Sequence, residues 1–290
     1  MPAYFRPDRL SDALTALQRD PHLCLAGGTD IYPADAQHRA WGRPGLGNSG
    51  ALPILDLSAL TELRTIEPFD DRVEIGAGVT WTQILQAELP PGFDGLRAAA
   101  AEVGGRQIQN RGTLAGNLCN ASPAADGVPP LLALDAKVRI ASNSSVRDVE
   151  LAQFIVGNRR TDLQAGELVT AVVIPRPVRA MRSCFLKLGA RRYLVISIAM
   201  VAVNITLNDG VITDVRVAVG ACSEVARRLR ALESALCGVP CDRAVAAVRP
   251  DHFRDLHPLT DLRASAEYRR EVARTLTKRA LSQLAAADHA

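Results

Sequence analysis

The run Gln107-Ile108-Gln109-Asn110-Arg111-Gly112-Thr113-Leu114-Ala115-Gly116-Asn117-Leu118-Cys119-Asn120-Ala121-Ser122-Pro123-Ala124-Ala125-Asp126 alternates small residues with Asn, Thr and Ser. From Gly104 to Asp126 there is little hydrophobic periodicity, and a stretch of that length reads as a functional loop, not a connector. It offers many hydrogen bonds and little bulk, which suits a pyrophosphate and its ribose. Asp126 can accept from ribose hydroxyls, because a carboxylate near a diphosphate must face sugar or base to avoid like-charge repulsion. Its other reading is a cap for the helix through Leu131 and Leu132.

Upstream, Leu25-Ala26-Gly27-Gly28-Thr29-Asp30 follows a strand-like stretch from His22 to Ala26. Successive glycines let the backbone approach a phosphate closely, and their N–H groups form an anion cradle without a positive side chain. A lone glycine pair is equally an ordinary tight turn. Two such loops in one α/β unit favour a nucleotide-cofactor site more than either does singly. Around them, Ser11 can cap a helix with the apolar face Leu10, Leu14 and Leu17. Val73 to Ile75 runs into Gly76-Ala77-Gly78, and Thr80 then precedes a helical pattern through Ile84 and Leu85. An alanine-rich helix spans Leu96 to Val103. Gly45-Leu46-Gly47-Asn48-Ser49-Gly50 spells G-x-G-x-x-G, but a strand-like segment follows it where a helix should open, so it reads as a surface loop.

Downstream, Glu167 to Ile174 is a buried strand stopped by Pro175, and Pro175-Arg176-Pro177 is the best linker. Beyond it lie strand-like runs at Cys184 to Leu188, Val195 to Leu207 and Val211 to Val219, the last two joined as a hairpin by Asn208-Asp209-Gly210. A closing helix from about Ser265 puts Tyr268, Val272, Leu276, Ala280 and Leu284 on one face, with Arg269, Arg270, Arg274 and Lys278 away from it. The expected organisation is a domain over 1–175, split near residue 58, and a hairpin-plus-helices domain over 178–290.

The chain has 290 residues, 48% hydrophobic and 22% charged, enough for a sizeable core without staples. A net charge of +3 is too small for an electrostatic grip on nucleic acid or an anionic membrane. Six cysteines form no Cys-x-x-Cys pair, and the Gly-Val-Pro between Cys237 and Cys241 reads as a turn. They read as reduced packing thiols. No signal-peptide pattern and no long apolar run occurs, so the expectation is a cytoplasmic protein without a membrane span.

These segments together carry a family resemblance. AGGTD, GAGVTW, QIQNRGTLAGNLCNASPAAD, GELVTAVVIPRP, FLKLGARRYLVISIAMVAV and SAEYRREVARTLTKRAL are similar, in order, to the FAD-binding (medium) subunits of the xanthine dehydrogenase and carbon monoxide dehydrogenase family of molybdenum hydroxylases. The resemblance implies an α+β fold: a two-part FAD-binding domain of the vanillyl-alcohol-oxidase (PCMH) type, then a small antiparallel sheet with helices. By the same likeness Leu25, Ala26, Gly27, Gly28, Thr29, Asp30, Ile31 and Tyr32 hold one side of the FAD diphosphate, and Thr113, Leu114, Ala115, Gly116 and Asn117 the other. Ser122 and Asp126 lie along the ribityl or ribose portion, Val103 lines the adenine end, Leu168 or Val169 sits beside the flavin, and Lys187 is near the cofactor. Without the resemblance, Val103, Leu168 and Val169 are equally plain core residues and Lys187 a solvent lysine on an edge strand.

Two departures stand out: the family commonly has Gly at the position of Ala115, and the stretch from Gln37 to Pro53 is longer than usual. There is no cysteine-rich insertion, so no iron–sulfur cluster is expected in this chain. The resemblance further implies a small subunit with [2Fe-2S] clusters, a large molybdopterin subunit that hydroxylates the substrate, and NAD or another acceptor. No catalytic acid, base or metal ligand is assigned here. The alternative is a stand-alone FAD-dependent reductase of the same fold; a scaffold that has lost its cofactor is a third reading.

Overall fold

The computed structural model describes residues 4–40, 52–176, 181–192 and 194–286. The G-x-G-x-x-G stretch and most of the long Gln37 to Pro53 insertion lie outside these residues. The chain opens with β1 (Tyr4–Phe5), α1 (Leu10–Arg19), β2 (Leu23–Leu25), α2 (Ile31–Ala40) and β3 (Ile54–Asp56). The strands form a parallel sheet ordered β1-β3-β2. Helix α1 buries Leu14 and Leu17 as the spacing predicts, with Ala13 beside them and Leu10 only partly buried, and Ser11 is not its cap. The helix starts at Leu10, whose N–H donates to the Glu62 carboxylate, so a distant side chain satisfies the first turn.

The middle of the chain contains β4 (Ile66–Pro68), β5 (Arg72–Gly76), α3 (Trp81–Gln86), α4 (Asp94–Glu102), α5 (Arg106–Gln109), α6 (Leu114–Asn120) and α7 (Val128–Ala133). It continues through β6 (Lys137–Ala141), β7 (Val146–Glu150), α8 (Leu151–Phe154), β8 (Ile155–Gly157), β9 (Arg160–Thr161) and β10 (Leu168–Pro175). A five-stranded antiparallel sheet runs β4-β5-β10-β6-β7. Thr80 caps α3 through a reciprocal pair with Gln83, the arrangement that leaves neither end of the first turn unsatisfied. The stretch read as one long loop contains two short helices. Thr113 starts α6 by accepting from Gly116 N–H at 3.0 Å, and Leu114 and Leu118, four residues apart, are fully buried. Gly and Asn are poor helix formers, so capping and burial override propensity here.

The last third contains β11 (Met181–Leu188), β12 (Ala199–Asn208), β13 (Val211–Gly220), β14 (Arg227–Arg228), α9 (Arg230–Leu236), α10 (Ala244–Ala247) and α11 (Ala266–Ala286). An antiparallel sheet runs β11-β12-β13-β14. The β12–β13 turn is the expected hairpin, with Asn208 opposite Val211 and left-handed φ of 49° at Asp209 and 74° at Gly210. Strand β12 begins at Ala199, four residues later than the β-rich run from Val195 suggests.

Both faces of this sheet are covered, and alternation along β12 shows how. Met200 and Ala202 join the core of the first 175 residues, where β11 meets α4 and β12 meets α7. Ala199, Val201, Val203 and Ile205 point the other way, into a second core with α9 and α11. Each buried Val or Ile contributes about 1.5–3 kcal/mol relative to exposure. Asn204 is the polar exception, 1% exposed: it donates to Ala133 O at 3.1 Å and accepts from Ser183 Oγ at 2.7 Å, which in turn accepts from Gly95 N–H. That chain ties the sheet to α7 and α4.

Helix α11 corrects the periodic reading. Tyr268 is 50% exposed and Arg269 only 4% exposed. Arg269 donates to Ile198 O at 2.7 Å, Ala221 O at 3.3 Å and Asp261 at 2.7 Å, so it binds two carbonyls and a carboxylate beneath the helix. Four-residue spacing drifts against a 3.6-residue turn, and the buried face includes Arg269, Ala273, Thr277 and Leu281 as well. Among the described residues, no helix is long and apolar enough to cross a membrane, and no cluster of His, Cys, Asp and Glu has metal-holding geometry.

Candidate functional site

The two glycine loops meet. A Cβ placed on Gly27 would lie 2.0 Å from the carbonyl oxygen of Arg111, and one on Gly112 would lie 3.4 Å from Thr29 Oγ1. The absence of a side chain at Gly27 is thus what lets the turn after β2 pack against the segment leading into α6. Gly28 has φ +71°, a left-handed backbone conformation that favours glycine. Leu25 anchors the turn from the core at 7% exposure, Ile31 opens α2, and exposed Asp30 stands 4.0 Å from Arg159. Cys24, just before the turn, has its thiol pushed up to about 11 by burial, which keeps it protonated.

Where the loops meet, a cleft is lined by Ala26, Gly27, Leu57, Ser58, Leu63, Arg64, Ala77, Gly78, Thr80, Asn110, Arg111 and Thr113. Among the described residues, the N–H groups of Gly27, Gly28, Thr29 and Ala115 have no protein acceptor. Of these residues Gly27 lines the cleft, and a backbone N–H without a protein acceptor beside open space fits an anion such as a diphosphate. The Gly116 N–H is taken by Thr113, and the Asn117 amide oxygen accepts from Gly127 N–H at 3.3 Å, so these two shape the loop from within. Leu114 and Ala115 are buried, and the Ala115 methyl lies in the core at 3% exposure. The cleft walls that sequence reading missed are Arg64 and Ser58, for which no motif gives a signal, and Arg111 and Asn110, which lie inside the quoted run.

Asp126 does not cap the helix after it; α7 has no side-chain cap. Its carboxylate accepts from Lys187 Nζ and from Ser197 Oγ, each at 2.6 Å. Burial pushes the Asp126 carboxyl above its ordinary range, against the opposing pull of the Lys187 ammonium and the Ser197 hydroxyl. Lys187 stands on an edge strand yet is 5% exposed, and also donates to Glu102 O at 3.2 Å, which overturns the solvent-lysine alternative. This buried ion pair joins the loop after α6 to β11, and Ser197, from the segment before β12, completes it.

The remaining expected residues separate. Ser122 is half-buried, accepts from Ala124 N–H at 3.3 Å, and opens on a second crevice shared with Arg159, Ile196 and Ser197. Val103 ends α4 and is half-buried. Leu168 and Val169 sit in the main core at 6% and 3% exposure.

Residues 1–177 match the family described as FAD binding domain in molybdopterin dehydrogenase, and residues 185–284 the CO dehydrogenase flavoprotein C-terminal domain. The chain is 30% identical to a xanthine dehydrogenase FAD-binding subunit from Escherichia coli, over 98% of this chain and 96% of that one. It is also 30% identical to a nicotinate dehydrogenase FAD-subunit from Eubacterium barkeri, over 95% and 93%. Carbon monoxide dehydrogenase from Oligotropha carboxidovorans superposes with a TM-score of 0.87 at 24% identity, covering 99% of this chain and 98% of that one, a likeness of fold.

Proposed function

Because this chain belongs to the family of FAD-binding domains of molybdopterin dehydrogenases, we propose that it is the electron-transfer subunit that holds FAD between its two glycine loops. The observation that carries this is the contact of Gly27 with the Arg111 carbonyl, which sets both loops on one cleft. The segment from Leu25 to Tyr32 holds one side of the diphosphate and Thr113 to Asn117 the other, with unpaired N–H groups at Gly27, Gly28, Thr29 and Ala115 as donors. Ser122 and Asp126 lie along the ribityl or ribose portion with Lys187 near the cofactor, Val103 lines the adenine end, and Leu168 or Val169 sits beside the flavin. The division of labour places the cofactor part in 1–175, with its own division near 58, and the remaining part in 178–290.

FAD supplies a carrier stable in one-electron and two-electron forms, which suits a junction between the [2Fe-2S] clusters of a small partner subunit and a two-electron acceptor such as NAD. The protein's share is to bind and orient it; no acid or base is assigned a proton transfer. The organic substrate reacts on a large molybdopterin subunit, so the named relatives differ in substrate, xanthine in one and nicotinate in another, while matching this chain nearly end to end. The test is steady-state reduction of NAD⁺ by the purified assembly. NADH formation coupled to substrate hydroxylation supports the acceptor; turnover with dyes or oxygen alone removes NAD from the scheme.

A further inference from the structure

We propose that Arg64 and Arg111 are positioning residues whose guanidinium groups neutralise the diphosphate of FAD, and that they make the cleft select phosphorylated flavin. The inference rests on the reading of the cleft as the FAD site. Both arginines line it, Arg64 from the turn before β4 and Arg111 from the segment before α6. The Arg64 stem runs along Gly78, where an added Cβ would stand 3.1 Å from Cγ. Among the described residues neither guanidinium has a hydrogen bond or ion pair, whereas most other arginines around the second sheet, such as Arg72, Arg139 and Arg147, are paired with carboxylates. The nearby carboxylate of Asp56 accepts from Tyr4 and Ser58 and stands 3.8 Å from Arg6, so it is already occupied, and no residue lining the cleft is acidic.

The chemistry of the remaining wall is neutral: hydroxyls of Ser58, Thr80 and Thr113 and the amide of Asn110. Backbone N–H groups alone satisfy the phosphate oxygens as acceptors but leave their formal charges uncompensated. Two unpaired guanidiniums on the rim supply that compensation, and as always-charged planar donors they suit phosphate better than lysine. Because both side chains are exposed, the attraction is screened by salt.

The test titrates FAD and riboflavin into the full-length chain, comparing wild type with Arg64→Gln, Arg111→Gln, the double variant and the two Arg→Lys variants. Each single Gln variant is expected to weaken FAD about 2- to 5-fold and the double about 10-fold, of the size that exposed charge pairs produce. The two Lys variants recover part of the loss, riboflavin affinity is unchanged throughout, and the salt dependence of FAD binding flattens in the double variant. Equal FAD affinity and equal salt dependence in wild type and double variant overturn the proposal while leaving the FAD site standing. An equal loss for riboflavin also overturns it, by reducing both arginines to structural roles. A wild-type chain that takes up no FAD removes the site and this proposal together.

Discussion

The carboxylate of Asp126 has two donors at 2.6 Å and almost no water, and this decides what its loss would do. Asp126→Asn leaves the Lys187 ammonium buried with only the Glu102 carbonyl and the Asn oxygen to meet it. Breaking one side of a buried pair costs about 3–5 kcal/mol, more than replacing both partners by apolar groups. Urea unfolding is expected to show the midpoint of Asp126→Asn falling well below that of Asp126→Leu combined with Lys187→Met; equal midpoints contradict a tight pair. Both residues were legible in the sequence as candidates, but their pairing was not. They stand 61 positions apart, and Ser197 a further step away, so only the fold brings them together. Gly27 was legible as a candidate too, but a glycine pair alone is equally a tight turn, and its approach to the Arg111 carbonyl comes from the fold.

Among the elements, those with local signals were readable. Asn208-Asp209-Gly210 specifies its hairpin by turn chemistry, and Thr80 with Gln83 specifies the start of α3. Helix α6 escaped notice because Gly116 and two asparagines hide a pattern held by only two buried leucines. Helix α11 was legible as a helix but not in rotation, because Arg269 is buried through partners on other segments. Its acidic partner Asp261 carries a measurable consequence. Partial burial raises the Asp261 carboxyl, but N–H donors from Arg263 and Ala264 and the guanidiniums of Arg269 and Arg263 outweigh it and hold it well below the usual carboxylate range. A carboxyl depressed in the folded state stabilises above its unfolded pKa, about 3.9, and that contribution fades as pH falls below it. The stability difference between wild type and Asp261→Asn is therefore expected to be full at pH 6–7 and to shrink as pH drops from about 4 toward 2. Thermal midpoints across that range check it; a constant difference contradicts the ion-paired role.

At the scale of the whole molecule, the sheet β11-β12-β13 works as a shared wall. One face of β12 completes the core that carries the glycine loops, the other builds the core with α9 and α11, and Asn204 pins the junction. The sequence shows this as a long apolar β-rich run, the signature of a strand buried on both faces, although it cannot say which side faces the cleft. The hairpin and the closing helix of the last third were likewise readable, because turn residues and periodicity change there. What was not readable is the cleft itself: Ser58 and Arg64 enter it from turns with no motif, and the distance between the loops is a property of tertiary packing. FAD binding depends on those loops closing together on one cofactor. The most direct test is the FAD content of the purified full-length chain beside that of Gly27→Val, whose side chain must displace the Arg111 carbonyl. Equimolar FAD in the wild type and little or none in the variant, with the variant still folded by its thermal transition, is the predicted result. A Gly27→Val chain that keeps a full complement of FAD would contradict it.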